Sequence, residues 1–563
     1  MGAPSGGLPA DAVGALRSIV GERLLTAAVD MAAYAYDGTF LEGRPAAAVL
    51  ARTTDEVAAV VRVCAAHAIP IIARGSGTSL TGGSVPTSPS ALVLDLAAMN
   101  RILDVDPVNM TATVEAGVVT ATLGREAARH GLFYPPDPAS LAVSTIGGNL
   151  ACNAGGPSGL KYGVTRDYVL ALEVVLADGR IVWLGSRAMK NSSGYPLHHL
   201  FVGSEGTLGI ITRAVLKLLP KPAHERTLLV GFTALEAAAA LVTRVLGAGV
   251  LPAAIELVDR VCLDAVDAYR PLGLPPDLEA VLLFRHDGSE ASTAAEAERV
   301  AAVAREGGAV LVRVAADEAE ADELWLARRA VSPALARLRP NKLGEDVAVP
   351  RGAIVEMVRR IREISARHRL PIATFGHISD GNLHPNILFD GADADERARM
   401  LEAARDIFLA ALDLGGVLSG EHGIGVLKKA FLPLAVDPMA LELMRTLKGL
   451  LDPQGILNPG KVLPDGAGLV RPPEPPVEAL GLPRSPFGQG GGVAGQGGGV
   501  AGAGEGAAGV GAATGGAEAG VVGPAAGAFG SDGQPTVPGA AGHDRVGPDP
   551  AETIAATEPD PRP

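Results

Sequence analysis

PIIARGSGTSLTGG, Pro70 to Gly83, reads as a buried strand that runs straight into a loop carrying four glycines. A run of backbone N–H groups with little Cβ bulk around it is what a cradle for phosphate oxygens needs. The dinucleotide fingerprint does not fit: after Gly75 and Gly77 it calls for Gly or Ala at position 80, which is Leu80. No GKS or GKT follows, so the loop is not a Walker A motif either. Alone, it reads equally well as a tight surface turn. It has company, however, in STIGGNLACNAGGPSGLKYG (Ser144 to Gly163) and in GSEGTLGIIT (Gly203 to Thr212), which ends in a strand. Three such loops in one α+β stretch point to a long, flat ligand with phosphates, lying between backbone segments.

Working outward, a helix is expected from Thr54 to His67, then strands in PIIAR, in VLDL ending at Asp95 and Leu96, and in TATVEAG. LALEVVLADG and RIVWL form a hairpin with Asp178-Gly179 at the turn. The Pro-Lys-Pro at Pro220 to Pro222 marks a boundary. Beyond it come a strand (LLVGF), an alanine-rich helix, a strand around Val281 to Arg285, and helices near Ser289 to Glu306 and Glu318 to Leu338. Their alternation suggests an antiparallel sheet covered by helices on one face. A last helix, Pro438 to Leu451, leads into DPQGILNPGKVLP, a closing loop expected to pack back on the first region. From Pro464 onward Gly, Ala and Pro dominate and GQGGGVAG recurs, a composition that cannot offset the entropy of ordering it. The expected division is 1–222, 223–433, 434–463 and a disordered tail, 464–563.

The second region holds HISDGNLH, His377 to His384, followed some forty residues later by Glu421, His422 and Gly423. Asp380-Gly381 suits the centre of a two-residue hairpin, which would set His377 directly across from His384. Cross-strand partners lie about 5 Å apart at Cβ, close enough for two imidazoles to share a cation. Glu421 would complete a His2Glu set and leave His422 as a base. Single histidines and DG turns are common, but three of the eleven histidines gathering here is less easily accidental. Zinc and several other divalent ions suit these donors.

Composition narrows the classes. At 563 residues, 48% hydrophobic and 20% charged, the chain should form two or three domains. Its net charge of −14 argues against nucleic acid. Cys64, Cys152 and Cys262 form no CxxC pattern, so neither a disulfide framework nor an iron–sulfur cluster held by this chain alone is expected. No apolar run reaches the length of a membrane span. The expected location is the cytoplasm, with peripheral docking at the inner membrane left open.

Taken in order, RGSGTSLTGG, PPDPAS (Pro135 to Ser140), TIGGNLACNAGG, KYG, GSEGTLGIIT, HISDGNLH, SGEHGIG and NPGKVLP resemble the FAD-linked 2-hydroxy-acid dehydrogenases of the vanillyl-alcohol-oxidase superfamily, over roughly residues 40 to 464. The nearest types are the glycolate oxidase FAD subunit and bacterial D-lactate dehydrogenase. The resemblance implies an α+β protein: a two-subdomain FAD-binding domain of the p-cresol methylhydroxylase (PCMH) type and a ferredoxin-like cap with an antiparallel sheet. It implies that the amides of Arg74, Gly75, Ser76, Gly77, Thr78, Ser79, Gly82 and Gly83 hold the FAD pyrophosphate. Pro136, Asp137, Ser140, Thr145, Gly147, Gly148, Asn149, Asn153, Gly155, Gly206, Gly209, Ile210, Ile211 and Asn458 would line the rest of the cofactor. Thr78 stands where members with covalent FAD often have histidine, so non-covalent FAD is implied. His377, His384 and Glu421 match the metal ligands, with zinc the first choice, and His422 the catalytic base. Arg328 matches the arginine for the substrate carboxylate, with Ser332, Lys342 and Asn386 as further substrate contacts.

The implied reaction moves a hydride from C2 of a small D-2-hydroxy acid, glycolate or D-lactate, to flavin N5, giving the 2-oxo acid. Electrons would pass to an iron–sulfur subunit, a quinone or an electron-transfer flavoprotein, and a homo-oligomer or heteromeric complex is expected. Two alternatives stay open: a D-2-hydroxyglutarate dehydrogenase, and an FAD transferase resembling alkylglycerone-phosphate synthase.

Overall fold

The computed structural model describes residues 7–39 and 41–465. All but the first two residues of the expected tail lie outside the described residues. The fold is α+β, as expected.

The glycine loops hang on two small sheets. The first has the order β1 (Leu24–Leu25), β2 (Ala47–Leu50), β4 (Leu92–Asp95), β3 (Ile71–Arg74), with β2 and β3 both parallel to β4. Parallel strands need crossovers, and helix α1 (Thr54–Ala66) supplies the one between β2 and β3. Its N-terminus is fixed by Thr53, whose hydroxyl accepts the Glu56 N–H. Val57, Val60, Val61 and Cys64, at helical spacing, are buried against the strands. The second sheet is antiparallel, in the order β5 (Ile102–Asp106), β6 (Thr111–Glu115), β9 (Ile210–Lys217), β7 (Val169–Val175), β8 (Ile181–Gly185). Gly179, at φ 79°, turns the β7–β8 hairpin where Asp178-Gly179 was read.

The larger antiparallel sheet runs β13 (Leu311–Val314), β10 (His224–Phe232), β12 (Ala280–Gly288), β11 (Ala254–Asp259), β15 (Ile372–Gly376), β16 (Asn382–Phe389), β14 (Asn341–Gly344). Helices cover both of its faces, which corrects the one-face expectation. Leu228, Leu282 and Ile387 point toward α3 (Leu235–Gly247), α5 (Glu290–Glu306), α7 (Ile354–His368) and α8 (Ala394–Asp413). Their strand neighbours Leu229, Leu283 and Leu388 pack on α4 (Arg260–Tyr269) and α6 (Glu318–Leu335). The reason is visible in AVLLF, Ala280 to Phe284, where consecutive rather than alternate residues are apolar.

The last described segment returns to the first sheet. After α9 (Pro438–Leu451), the Ile71 N–H donates to the Ile456 carbonyl at 2.7 Å and the Asn458 N–H to the Ile71 carbonyl at 2.8 Å. Asn458 Nδ2 donates to the carbonyls of Gly83 (2.9 Å) and Glu205 (2.7 Å), tying two glycine loops together.

Candidate active site

The three glycine loops converge on one cleft. Its walls come from Arg74–Leu80 at the end of β3, from Thr145 and the first turn of helix α2 (Ile146–Cys152), and from Glu205 to Ile211 leading into β9. Close approach explains the glycines: a Cβ on Gly75 would lie 2.2 Å from Thr145 Oγ1, and one on Gly147 2.7 Å from the Ala116 Cβ. Gly77 sits at φ 69°, where an L side chain is strained as well as crowded by Arg74. From Gly75 to Leu80 the backbone N–H groups donate to no acceptor among the described residues. A row of unpaired amides in a walled cleft suits the oxygens of a pyrophosphate.

The histidine loop meets the cleft at Glu421 and His422, both of which line it. Here the hairpin expectation is corrected. His384 pairs with Phe375 rather than His377, because the connection is longer than a two-residue turn: Ile378–Asp380 form one 3-10 turn, closed by Gly381 at φ 86°. The imidazoles nevertheless meet, ring centres 5.1 Å apart. Glu421 Oε1 lies 3.2 Å from His377 Nε2 and 3.4 Å from His384 Nε2. His422 stacks on His384, its ring 5.2 Å away. Gly155 makes room for Glu421, since a Cβ there would lie 2.9 Å from Oε2.

Two buried carboxylates absent from the sequence reading stand behind the imidazoles. Glu256 Oε1 is 2.5 Å from His377 Nδ1, and Asp346 Oδ1 is 3.5 Å from His384 Nδ1. Asp346 also accepts the N–H groups of Glu421 and His422 and the Ser419 hydroxyl. A carboxylate hydrogen-bonded to the far nitrogen, as Glu256 is to His377, orients an imidazole so that its Nε2 can bind a cation. Burial alone would raise Glu256, but His377 and Arg328 outweigh it and bring the carboxyl down to about 2. Burial likewise works against Asp346, yet His422, Lys428 and His384 hold it well below the carboxylate range. His377 is carried well above its ordinary value because Glu256 and Glu421 overcome its desolvation. His384, desolvated and beside His377, is pushed down to about 3. Asp346 Oδ1, Glu421 Oε2, His384 Nδ1 and His422 Nδ1 are buried without a hydrogen-bond partner. The carboxylates of Glu256, Asp346 and Glu421 and the orphaned atoms fit a divalent cation, and two sets of converging atoms could hold one: His377 and His384 with Glu421, and Asp346 with His384 and His422.

The remaining residues fall around these two centres. Arg328, on α6, gives Nε (2.8 Å) and Nη2 (2.6 Å) to Glu256 Oε2 and lies 4.6 Å over the Phe375 ring. Ser332 and Lys342 bond each other at 2.5 Å, and Asn386 is buried beside His384, donating to its carbonyl. Of the residues named for the cofactor, Gly82, Pro136, Asp137, Asn153, Gly155 and Asn458 lie outside the cleft lining. Asp137 instead accepts Arg285 Nη2 at 3.0 Å, and the Arg74 side chain turns away to the Tyr36 carbonyl at 2.8 Å. Glu256 was legible in principle: an acid flanked by Ile255 and Leu257 inside the apolar strand AIELVD is a buried charge in search of partners.

Comparison with known proteins agrees with this architecture. Residues 45–185 match the family described as FAD binding domain, and 221–462 that described as FAD linked oxidases, C-terminal domain. The chain is 45% identical over 430 residues to the glycolate oxidase subunit GlcD of Bacillus subtilis, covering 76% of this chain and 91% of that one. It is 37% identical over 430 residues to a D-lactate dehydrogenase of Anaerostipes hadrus, covering 75% and 90%. Among solved structures, p-cresol methylhydroxylase with substrate bound superposes with a TM-score of 0.68 at 19% identity, over 80% of this chain and 96% of that one. The 4-ethylphenol oxidase of Gulosibacter chungangensis gives 0.67 at 21%, over 81% and 97%. At those identities the structures show the fold, while the sequence relatives show the kinship: this chain belongs to the FAD-linked 2-hydroxy-acid dehydrogenase family and is an FAD oxidoreductase.

Proposed function

We propose that the chain oxidises glycolate or D-lactate to the 2-oxo acid, with FAD bound non-covalently in the glycine cleft and a divalent cation, zinc first, held by His377, His384 and Glu421. The observation that carries the reading is the meeting of the two centres at Glu421 and His422, which border the cleft and the histidine cluster at once. The names of the Bacillus and Anaerostipes relatives support the substrate class. In this reading residues 1–222 hold the flavin, 223–433 supply the histidine cluster, 434–463 close the cleft, and 464–563 are accessory.

Bound flavin supplies the hydride acceptor, and a bound cation makes the substrate hydroxyl more acidic. The chain's own residues do the rest. Arg328 takes the substrate carboxylate on Nη1, which donates to nothing among the described residues, while Glu256 and Phe375 fix the guanidinium plane. Ser332, Lys342 and Asn386 are further substrate contacts in this proposal. His422 accepts the hydroxyl proton at Nε2, since Nδ1 is buried and faces Asp346 at 4.0 Å. Stacking on His384 keeps that ring from turning.

Electrons leave to a separate acceptor, an iron–sulfur subunit, quinone or electron-transfer flavoprotein. The Bacillus relative's being named a subunit supports a heteromeric assembly. No described helix is long and apolar enough to cross a membrane, and we place the protein in the cytoplasm, at the inner membrane where a quinone is the acceptor.

The test is an anaerobic visible spectrum before and after adding D-lactate, L-lactate, glycolate and D-2-hydroxyglutarate separately, with and without chelator. Bleaching by glycolate or D-lactate that the chelator prevents is the expected result. Bleaching by D-2-hydroxyglutarate alone would move the assignment to that acid, and a yellow protein reduced by none would count against a dehydrogenase.

A further inference from the structure

Arg328 and His377 never touch, yet one side chain holds both. Glu256 sits in β11 between two core residues and is 1% exposed. Its two oxygens are divided: Oε1 faces His377 Nδ1 at 2.5 Å, and Oε2 takes Arg328 Nε at 2.8 Å and Nη2 at 2.6 Å. We infer that Glu256 is a positioning residue that couples the orientation of the metal-binding imidazole to that of the substrate-binding arginine. The inference rests on the reading above for the roles of those two residues.

The geometry leaves each partner little freedom. With Nδ1 engaged, His377 directs Nε2 at Glu421, 3.2 Å away. With Nε and Nη2 engaged and Phe375 under the guanidinium plane, Arg328 has only its Nη1 edge to offer. A carboxylate this deeply buried is held in place by both partners together, and withdrawing either leaves charge uncompensated. Asp346, the corresponding carboxylate behind His384, works differently. Its contacts run to the Ser419–His422 loop and to Lys428, so it organises the loop and does not reach the arginine.

Charge acting through space and coupling through Glu256 predict opposite signs, so the two can be told apart. Replacing Arg328 removes a positive charge near the cation, which through space would tighten cation binding. If Glu256 links the two, the same change releases its Oε2, lets His377 drift and loosens the cation. Replacing Glu256 removes a negative charge, which through space would favour an anionic substrate, whereas loss of positioning raises KM.

FAD-loaded, metal-stripped full-length protein is titrated with Zn²⁺ against a chromophoric chelator for wild type, R328Q, R328K, E256Q and the R328Q/E256Q double variant. R328Q should weaken Zn²⁺ about tenfold, R328K should recover most of that, and the double variant should be no weaker than E256Q alone. Unchanged or tighter Zn²⁺ binding in R328Q overturns the coupling. Should E256Q fail to fold, R328Q and R328K decide alone. A separate KM measurement with D-lactate should rise in E256Q, and a fall overturns the coupling as well. Failure of wild type to be reduced by any acid tested would sink the proposed activity, while the Zn²⁺ titration would still report on Glu256.

Discussion

The two centres that meet at Glu421 and His422 are built from different materials. The glycine cleft is a backbone structure: its walls are glycines that admit close approach, and its donors are amides between Gly75 and Leu80. The histidine cluster is a side-chain structure, drawn from Glu256, Asp346, His377, His384 and Glu421 on separate strands and loops. A backbone cradle is specified by a contiguous stretch and tolerates almost no added atom. A side-chain cluster is specified by tertiary packing, and its sensitivity is to charge.

Substitutions should therefore separate the two centres. The largest effect is expected for His422→Asn, which should slow anaerobic flavin reduction about 10²- to 10⁴-fold while FAD content stays at the wild-type level. Parallel loss of FAD would break the distinction between the centres. Metal removal comes next: chelation should slow reduction by the 2-hydroxy acid, by less than the His422 change does, yet leave the protein yellow, and added Zn²⁺ should restore the rate. In the opposite direction, Gly75→Ala places a methyl group against Thr145 and should weaken FAD by about 1–3 kcal/mol, with Zn²⁺ affinity unchanged. Flavin retained on gel filtration with full occupancy would show that the cleft yields more than its contacts suggest.

The smallest effect concerns the charge cost of the side-chain centre. Glu345 is buried next to Asp346, with the Lys428 ammonium 3.9 Å away; burial outweighs Lys428 and pushes its carboxyl up to about 7. A folded value above the unfolded one means stability present at low pH and lost as pH rises through about 7. Glu345→Gln should escape that loss, gaining about 1 kcal/mol on wild type between pH 6 and pH 8. Thermal melts at the two pH values measure it, and an equal change in both proteins would remove Glu345 as the cause.

The same contrast governs what could be read before any coordinates. Loop sequences announced the cleft because a glycine's lack of Cβ is a local fact, visible at Gly75, Gly77 and Gly147. The α1 helix and the Asp178-Gly179 turn were legible for the same reason, the one resting on apolar spacing and the other on a turn residue within its own segment. HISDGNLH disclosed its pair of imidazoles but not its register, since a 3-10 turn and a two-residue turn share the same DG signature. The carboxylates behind the rings were missed because nothing near His377 in sequence points to Glu256, 121 residues away. Likewise the second helical layer on the large sheet follows from apolar neighbours such as Leu282 and Leu283, a weaker cue than alternation.

Asn458 links the Gly83 and Glu205 loops, and Ile456 completes the hydrogen bonding of Ile71. On the ribosome these partners are separated in time. At about 5–20 residues per second, roughly 20 to 80 s pass between synthesis of Arg74 and of Asn458. Throughout that interval the strand that opens the phosphate loop has an unpaired edge. The glycine cleft is therefore complete only once Asn458 has been made, and a nascent chain interrupted before that residue would be left with an open-sided cleft and an exposed edge strand, an invitation to aggregate.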